Sequence, residues 1–229
     1  MSSDALLAEQ IDYYRARAAE YDDWWFRRGR YDRGAEWNAR WFAEVAEVEA
    51  ALDRFDAGGD VLELACGTGL WTRHLARSAA RVTAVDTSPE VMELNGARVG
   101  DASVEYVRAD IFGLELPGRY DVCFFGFWLS HVPDGRFAEF WECVGRALRP
   151  GGRVFFVDSG IDRSDRSHTR DRSHETEVRQ LADGREFRIV KRYHEPRELE
   201  RRLAELGFRF AISTTAHGSM IYGTGTTGG

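Results

Sequence analysis

Two neighbouring segments carry the residue types that bind a nucleoside. Residues 61–69 read Val-Leu-Glu-Leu-Ala-Cys-Gly-Thr-Gly, and the next apolar run, 82–86, ends in Asp86. In an open α/β sheet, glycines after one strand let the backbone approach a ligand closely, and an acid at the tip of the next strand can bind ribose hydroxyls. The pattern therefore predicts a nucleoside site with Gly67 at a backbone contact and Asp86 at the ribose.

Glu63 distinguishes this site from one for a dinucleotide. It stands at the mouth of the turn, where a carboxylate would repel a pyrophosphate and attract a positive charge. A ligand with a ribose, an amino-acid end and a positive charge, but no phosphate, is S-adenosylmethionine. Residues 63–69 also match the first motif of the class I S-adenosylmethionine-dependent methyltransferases, with Ala65 where many members have glycine. The chain resembles this family, and its small-molecule group, over roughly residues 58–160.

The resemblance implies a set of cofactor contacts at the carboxyl ends of the strands. Glu63 would face the sulfonium and amino end, although a helix cap or a solvent-facing acid is the alternative. Asp86 would accept from both ribose hydroxyls, with a cap for the next helix as its alternative. Asp110 would accept from the adenine amine, and a turn role is the alternative there. The other implied cofactor contacts are Ala65, Gly67, Thr87, Ile111 and Phe127.

His131 is the candidate for proton transfer. It follows the fourth predicted strand in the run Trp-Leu-Ser-His-Val-Pro, and many small-molecule members have a histidine before Val-Pro. It could be a general base that deprotonates a hydroxyl or ring nitrogen. It could equally contact the acceptor without proton transfer, or pack the loop. The segment lacks the Asn/Asp-Pro-Pro-aromatic signature of enzymes that methylate amino groups of bases and amides, which favours a small-molecule acceptor.

Residues 13–31 are dense in aromatic and arginine side chains. Tyr21-Asp22 resembles an N-terminal Tyr-Asp that closes over the cofactor in many small-molecule members. Aromatic rings attract a sulfonium through cation–π interactions, and Arg28 is the candidate partner of the cofactor carboxylate. An amphipathic helix with core-facing aromatics is the alternative. The candidate acceptor contacts are Tyr14, Trp24, Trp25 and Trp128, whose rings favour an aromatic or heteroaromatic acceptor.

Composition narrows the classes of partner. The 229 residues carry a net charge of −7, which argues against nucleic acid as the partner. The first ten residues lack a secretory signal pattern, and no apolar stretch is long enough for a membrane span. The three cysteines lack metal-ligand spacing, which predicts reduced thiols, no metal and a cytoplasmic protein. Lys191 is the only lysine among 31 basic residues, which we interpret as compositional bias.

The predicted elements place these residues at one edge of one sheet. Short apolar runs alternate with helical patterns between residues 61 and 158, and Ser88-Pro89 supplies a cap and a first-turn proline to the second of these helices. This alternation predicts the α/β class, with a doubly wound, Rossmann-like, seven-stranded and mostly parallel sheet. Late strands at 185–191 and 208–215, linked by a helix, are expected to form an antiparallel edge hairpin, and residues 223–229 a loose tail.

We predict a single domain with three parts: an N-terminal helical lid (1–57), a cofactor-binding core (58–160), and a lid loop with the C-terminal edge strands (161–229). The predicted function is methyl transfer from S-adenosylmethionine to an oxygen or nitrogen of a small acceptor, by an enzyme that is a monomer or homodimer. Two alternatives of other classes are a non-catalytic S-adenosylmethionine-binding protein and a nicotinamide-dependent oxidoreductase, which Glu63 disfavours.

Overall fold

The described residues of this computed structural model, 3–114, 119–161 and 175–228, form nine strands and seven α-helices. The strands are β1 (Gly59–Leu64), β2 (Ala79–Asp86), β3 (Val104–Arg108), β4 (Tyr120–Gly126), β5 (Leu148–Ser159), β6 (Thr176–Gln180), β7 (Glu186–Val190), β8 (Phe208–Thr214) and β9 (Met220–Thr227). The helices are α1 (Ser3–Arg17), α2 (Tyr21–Trp25), α3 (Ala35–Phe55), α4 (Thr72–Leu75), α5 (Pro89–Val99), α6 (Phe137–Ala147) and α7 (Pro196–Glu205).

Seven of the described strands form one sheet in the order β3-β2-β1-β4-β5-β9-β8. β1 to β5 are parallel, whereas β9 runs antiparallel to both β5 and β8. The predicted mostly parallel sheet with an antiparallel edge hairpin is therefore confirmed. The strand order reverses between β1 and β4, and ligands of such sheets bind in the crevice beyond the carboxyl ends of the strands at this point.

Apolar side chains cover both faces of the sheet. The rings of Phe124 and Phe155 stack on one face, and those of Phe125 and Phe156 stack on the other. α3 packs on the first face and α6 on the second, where Trp141 is fully buried. Because helices cover both faces, the central strands read as continuous apolar runs rather than alternating ones, which is why they could be located from the sequence.

The glycine-rich segment predicted as a loose tail is instead most of strand β9. A β carbon on Gly223 would lie 2.6 Å from Cε1 of Phe156, and one on Gly225 would lie 2.5 Å from Cδ2 of Phe210. Aromatic rings from the two neighbouring strands thus occupy the space that side chains would take. Glycine in a strand often marks such a close approach, which composition alone does not reveal.

The strand predicted at 185–191 does not join the main sheet. It is β7, which pairs with β6 as a separate antiparallel two-stranded sheet, so the edge hairpin consists of β8 and β9. α1 lies against β7, where Gln10 Oε1 accepts a hydrogen bond from the Val190 amide at 2.9 Å and Glu9 forms an ion pair with Arg188. Most of the predicted lid loop, residues 162–174, lies outside the described residues.

Candidate active site

Two adjoining cavities open beyond the carboxyl ends of β1 and β4. The smaller, the strand-tip groove, has a volume of about 110 Å³ and is lined by the β1 turn, the ends of β2 and β4, and part of α1. The larger, which we call the arginine cavity, has a volume of about 490 Å³ and is lined by the N-terminal segment, β6, β7 and the residues after it. Four side chains line both cavities and form the boundary between them: Tyr14, Tyr21, Phe127 and His131.

The turn after β1 is held open by Asp86. Ala65 and Gly67 both have positive φ, of 54° and 52°, a region that glycine adopts without strain. Asp86 Oδ2 accepts from the Gly67 amide and Oδ1 from the Ser88 amide, each at 3.0 Å. A β carbon on Gly67 would meet no atom within 4 Å, so the backbone faces open space. The turn thus offers a ligand a bare backbone beside a carboxylate.

The other predicted contacts of the adenosine end lie around the same groove. Thr87, Asp110 and Ile111 line it together with Ala65, Gly67 and Asp86. Asp110 also accepts from the Phe112 amide at 3.0 Å and so caps the short turn that follows β3. Asp110 therefore caps a turn, which was its alternative role in the sequence analysis, and also lines the groove.

Glu63 lies beneath the turn and lines neither cavity. Its side chain is 2% exposed, and Oε2 has no hydrogen-bond partner. Burial, reinforced by the nearby Asp86 carboxylate, raises the pKa of Glu63 to about 8. Glu63 therefore opens to neither cavity, and its contact with the sulfonium and amino end, directly or through water, stays a prediction.

The raised pKa of Glu63 predicts a pH dependence of stability. Between about pH 4.5 and 8 the folded state holds a proton that the unfolded state has lost, so the free energy of unfolding falls as pH rises. The slope from this group is at most about 1.4 kcal/mol per pH unit. Glu63→Gln should remove it, so that the variant gains stability relative to wild type from pH 5 to 8 in denaturant unfolding. Glu105→Gln, at an exposed position of β3, is the control, and parallel curves for wild type and Glu63→Gln would contradict the prediction.

His131 lies at the boundary between the two cavities. Its side chain is 5% exposed, with Nδ1 at 2.7 Å from the Val190 carbonyl oxygen and Nε2 at 2.7 Å from the Tyr14 hydroxyl. A carbonyl oxygen only accepts, so Nδ1 carries the proton and Nε2 accepts from Tyr14. The arrangement aims a basic nitrogen, through one hydroxyl, at the point where the cavities meet.

Lys191 lies next to this pair, a placement that the sequence interpretation missed. Its ammonium group is buried and donates to Ser130 Oγ and Ser159 Oγ, both at 2.8 Å, with Asp158 Oδ1 at 3.9 Å. Burial lowers the pKa of Lys191 to about 8. The residue lines the arginine cavity, so the one lysine of the chain is a cavity-wall cation rather than only a product of composition.

Only some of the side chains predicted to contact the cofactor or the acceptor line a cavity. Trp24 lines the arginine cavity, whereas Trp25 belongs to the core and its carbonyl accepts from Trp41 Nε1 at 3.0 Å. Trp128 lines the strand-tip groove and not the arginine cavity. Arg28 is exposed, lies 4.7 Å from the Phe26 ring centroid and lines neither cavity. The arginines at the cavity are others, including Arg17 and Arg27.

The N-terminal segment is fastened to the cofactor side of the molecule. Asp22 accepts from Thr68 Oγ1 at 2.9 Å and forms an ion pair with Arg98 of α5. Tyr21, its neighbour, lines both cavities. The segment therefore closes the crevice in this structure, and we expect it to open and close with the cofactor.

This lid motion is measurable by hydrogen exchange. Residues 13–31 should gain protection when S-adenosylhomocysteine binds, because the bound product fills the groove on which Tyr21 rests. The amides of α6, which belong to the core, provide the internal reference and should not change. Equal exchange of residues 13–31 with and without the product would instead favour a permanently docked helix.

The described residues contain neither a disulfide nor a cluster of metal ligands. Cys66, Cys123 and Cys143 are free thiols. In the described ranges, no group of three or more His, Cys, Asp or Glu side chains could hold a metal ion. No helix in that part of the chain is long and apolar enough to cross a membrane.

Comparison with known proteins identifies the family. A family described as a methyltransferase domain matches residues 61–152. The solved complex of DhpI with SAH is 40% identical, with a TM-score of 0.79 over 99% of both chains. The chain belongs to the class I S-adenosylmethionine-dependent methyltransferases. A second DhpI structure, a complex with SAM and HEP, is 39% identical with a TM-score of 0.80, and covers 98% of this chain and 99% of that one.

Curated relatives of this methyltransferase match over part of their length. The ubiquinone biosynthesis O-methyltransferase of Pseudoalteromonas translucida is 32% identical over 138 residues, which are 58% of this chain and 56% of the relative. The chain spans about half the length of the curated relatives it matches.

S-adenosylmethionine is the cofactor, and the groove fits it. The open backbone at Gly67 and the Asp86 carboxylate suit a ribose. The buried Oε2 of Glu63 has no hydrogen-bond partner, and a nearby positive charge would favour the ionised form of this carboxyl. When bound, the cofactor supplies an electrophilic methyl group on a sulfonium. The residues that line the boundary are the ones that can present an acceptor to it.

Proposed function

We propose that this methyltransferase transfers the methyl group to an oxygen of a small acceptor held in the arginine cavity. The observation that carries the proposal is the shared wall of Tyr14, Tyr21, Phe127 and His131 between the two cavities. A cofactor in the groove and an acceptor in the cavity would meet only there. Alignment of the two and exclusion of water by the N-terminal segment then provide much of the rate acceleration.

Oxygen is favoured over nitrogen by the Tyr14–His131 pair and by the O-methyltransferase relatives. A hydroxyl oxygen must lose its proton as it takes the methyl group, whereas a neutral amine attacks with a free lone pair. In the proposed step the acceptor proton passes to the Tyr14 oxygen while the Tyr14 proton passes to His131 Nε2. Val190, whose carbonyl fixes the other ring nitrogen, holds the imidazole in the accepting tautomer.

The aromatic or heteroaromatic acceptor predicted from the sequence remains a prediction. In its favour, Trp24, Trp37 and Phe127 line the arginine cavity and could contact a flat group. The cavity also carries a cluster of positive charges, which a ring alone would not neutralise. The acceptor panel must therefore contain both neutral aromatic and anionic compounds.

The test is turnover with deuterium-labelled S-adenosylmethionine and a panel of phenols, azoles, quinols, hydroxy acids and phosphate monoesters. Mass spectrometry detects the labelled methyl group, and NMR of the product assigns the atom that carries it. We expect labelled methyl on oxygen. Methyl on nitrogen or carbon in the preferred product would overturn the proposal, and so would binding of S-adenosylhomocysteine without transfer to any acceptor.

A further inference from the structure

The arginine cavity concentrates positive charge in an acidic protein. Although the chain has a net charge of −7, the described residues that line this cavity include Lys191, six arginines and no aspartate or glutamate. The arginines are Arg17, Arg27, Arg30, Arg33, Arg40 and Arg179. A wall with one sign of charge and low-dielectric surroundings raises the local concentration of the opposite charge. The distribution of these residues is therefore a feature of the site.

Three of these cations line the same cavity as His131. Arg17 comes from α1, Arg179 from β6, and Lys191 from the segment after β7. All three act on the imidazole electrostatically, and each disfavours its protonation. The side chains come from residues up to 174 positions apart in the sequence, so only the folded chain assembles them.

The charges of these three groups are incompletely compensated. Arg17 is 9% exposed, and its Nε is buried with no hydrogen-bond partner. In the described ranges no carboxylate lies within ion-pairing distance of it; its guanidinium rests instead near the rings of Tyr13 and Tyr21, at 5.6 and 5.2 Å. Aromatic faces stabilise a cation without cancelling its charge. A buried and unpaired charge is costly unless a partner arrives.

Lys191 and Arg179 each have a carboxylate partner, and each keeps hydrogen-bond donors that this partner does not use. Two of the three ammonium protons of Lys191 go to serine hydroxyls, which are neutral, and the nearest carboxylate is 3.9 Å away. Arg179 pairs with Glu177 through Nη2 at 2.7 Å, which leaves other guanidinium protons of its fork. Arg40, which also lines the cavity, is paired with Glu36, and that glutamate is 78% exposed, whereas the Glu177 partner of Arg179 is 12% exposed.

We propose that Arg17, Arg179 and Lys191 bind a compact oxyanion carried by the acceptor, so that the methyltransferase acts on a small anionic molecule. Guanidinium forks and an ammonium group suit a phosphoryl, phosphonyl or carboxylate group. The inference rests on the proposed function, because it assigns the arginine cavity to the acceptor. The strand-tip groove is lined by none of the cavity's arginines, so this anion site is separate from the predicted ribose contacts.

The test measures anion binding without turnover. Calorimetry on the enzyme saturated with S-adenosylhomocysteine uses inorganic phosphate as the probe, and acetate as the probe for a planar carboxylate. We expect saturable phosphate binding that is weakened about ten-fold or more in each of Arg17→Gln, Arg179→Gln and Lys191→Gln. Arg40→Gln, which removes a cavity arginine paired with an exposed glutamate, should change phosphate affinity less than about two-fold. Tighter binding of acetate than of phosphate would identify the anion as a carboxylate and would equally support the proposal.

Two controls distinguish a variant that has lost the anion site from a variant that has not folded. Each variant is first checked for unchanged affinity for S-adenosylhomocysteine, and Arg17→Lys, which keeps the charge, should retain more phosphate affinity than Arg17→Gln. If Arg17→Gln does not fold, the Arg179 and Lys191 variants decide the matter. The proposal is overturned if neither anion binds saturably, or if Arg40→Gln weakens binding as much as the other variants. Phosphate binding without methyl transfer to oxygen would sink the proposed function and leave the anion site standing.

Discussion

Replacing Asp86 with alanine is expected to weaken the binding of S-adenosylmethionine and S-adenosylhomocysteine by about 1–3 kcal/mol, or roughly 5- to 150-fold. We expect the carboxylate to accept from both ribose hydroxyls, and it holds the turn through the Gly67 and Ser88 amides at 3.0 Å. Its removal therefore deletes a charged acceptor and loosens the backbone that faces the ligand. Calorimetric titration with each ligand measures the loss.

The control variant must show that the loss of affinity comes from the ligand contact and not from loosening an aspartate-held turn. Asp101 accepts from the amide two residues on, Ser103, at 2.8 Å, as Asp86 does from Ser88 at 3.0 Å, but it lines neither cavity. Asp101→Ala should leave both affinities unchanged. Equal losses in the two variants, or none in Asp86→Ala, would remove Asp86 from the cofactor site. We also expect no measurable binding of NAD by the wild type.

The strands and the groove could be predicted because their signals are local. The apolar runs of β1, β2 and β4 are short, uninterrupted and bounded by turn residues, since both faces of the sheet are buried. Residues 63–64 end β1, residues 65–69 follow it as a turn, and Asp86 ends the paired strand β2, so one motif and one spacing specify the turn. Ser88 was likewise identifiable as a cap, and its hydroxyl does accept from the Val91 amide.

The charged cavity could not be predicted because its members are distant in sequence. Arg17, Arg179 and Lys191 each sit in a segment that also contains acids, and the net charge of −7 hides their convergence. The adjacent Trp24 and Trp25 show a related limit. A run in which nearly every residue is aromatic or charged has no clear helical phase, so the side that faces the core cannot be inferred.

Glu63 and β9 show that some contacts depend on how the folded chain packs around a residue. The motif fixes the residue type at position 63, but whether the carboxyl reaches the ligand depends on the packing above it, and here it is 2% exposed. The glycines of β9 carry no strand propensity and read as a flexible tail. Only the rings of Phe156 and Phe210 on the neighbouring strands explain why glycine is required there.

Replacing His131 with alanine is expected to lower kcat by about 10²- to 10⁴-fold, the usual contribution of a positioned general base. Cofactor affinity should change far less than kcat, because His131 is shared with the arginine cavity while the β1 turn and Asp86 line only the groove. Turnover with the preferred oxygen acceptor gives kcat, and calorimetry with S-adenosylhomocysteine verifies the fold of the variant.

The pH dependence should differ between kcat/KM and kcat. Burial, with Lys191, Arg179 and Arg17 facing the ring, holds the pKa of His131 well below its usual value in the free enzyme. A base must be deprotonated, so kcat/KM should stay flat as pH falls through about 6.5 and should decline only well below it. An anionic acceptor would offset the three cations and raise this pKa, so kcat should decline at a higher pH than kcat/KM. An acceptor that does not itself titrate between pH 5 and 8 is needed for the comparison.

Tyr14→Phe distinguishes a proton relay from simple packing. The Tyr14 hydroxyl donates to Nε2 of His131 at 2.7 Å, so in a relay both groups serve one proton transfer. The double variant should then cost little more than His131→Ala alone, because residues that act as a unit are not additive. Additive losses would mean that the two side chains orient the acceptor independently. A folded His131→Ala variant with nearly full activity from pH 5 to 8 would make the histidine a packing residue and leave alignment as the source of catalysis.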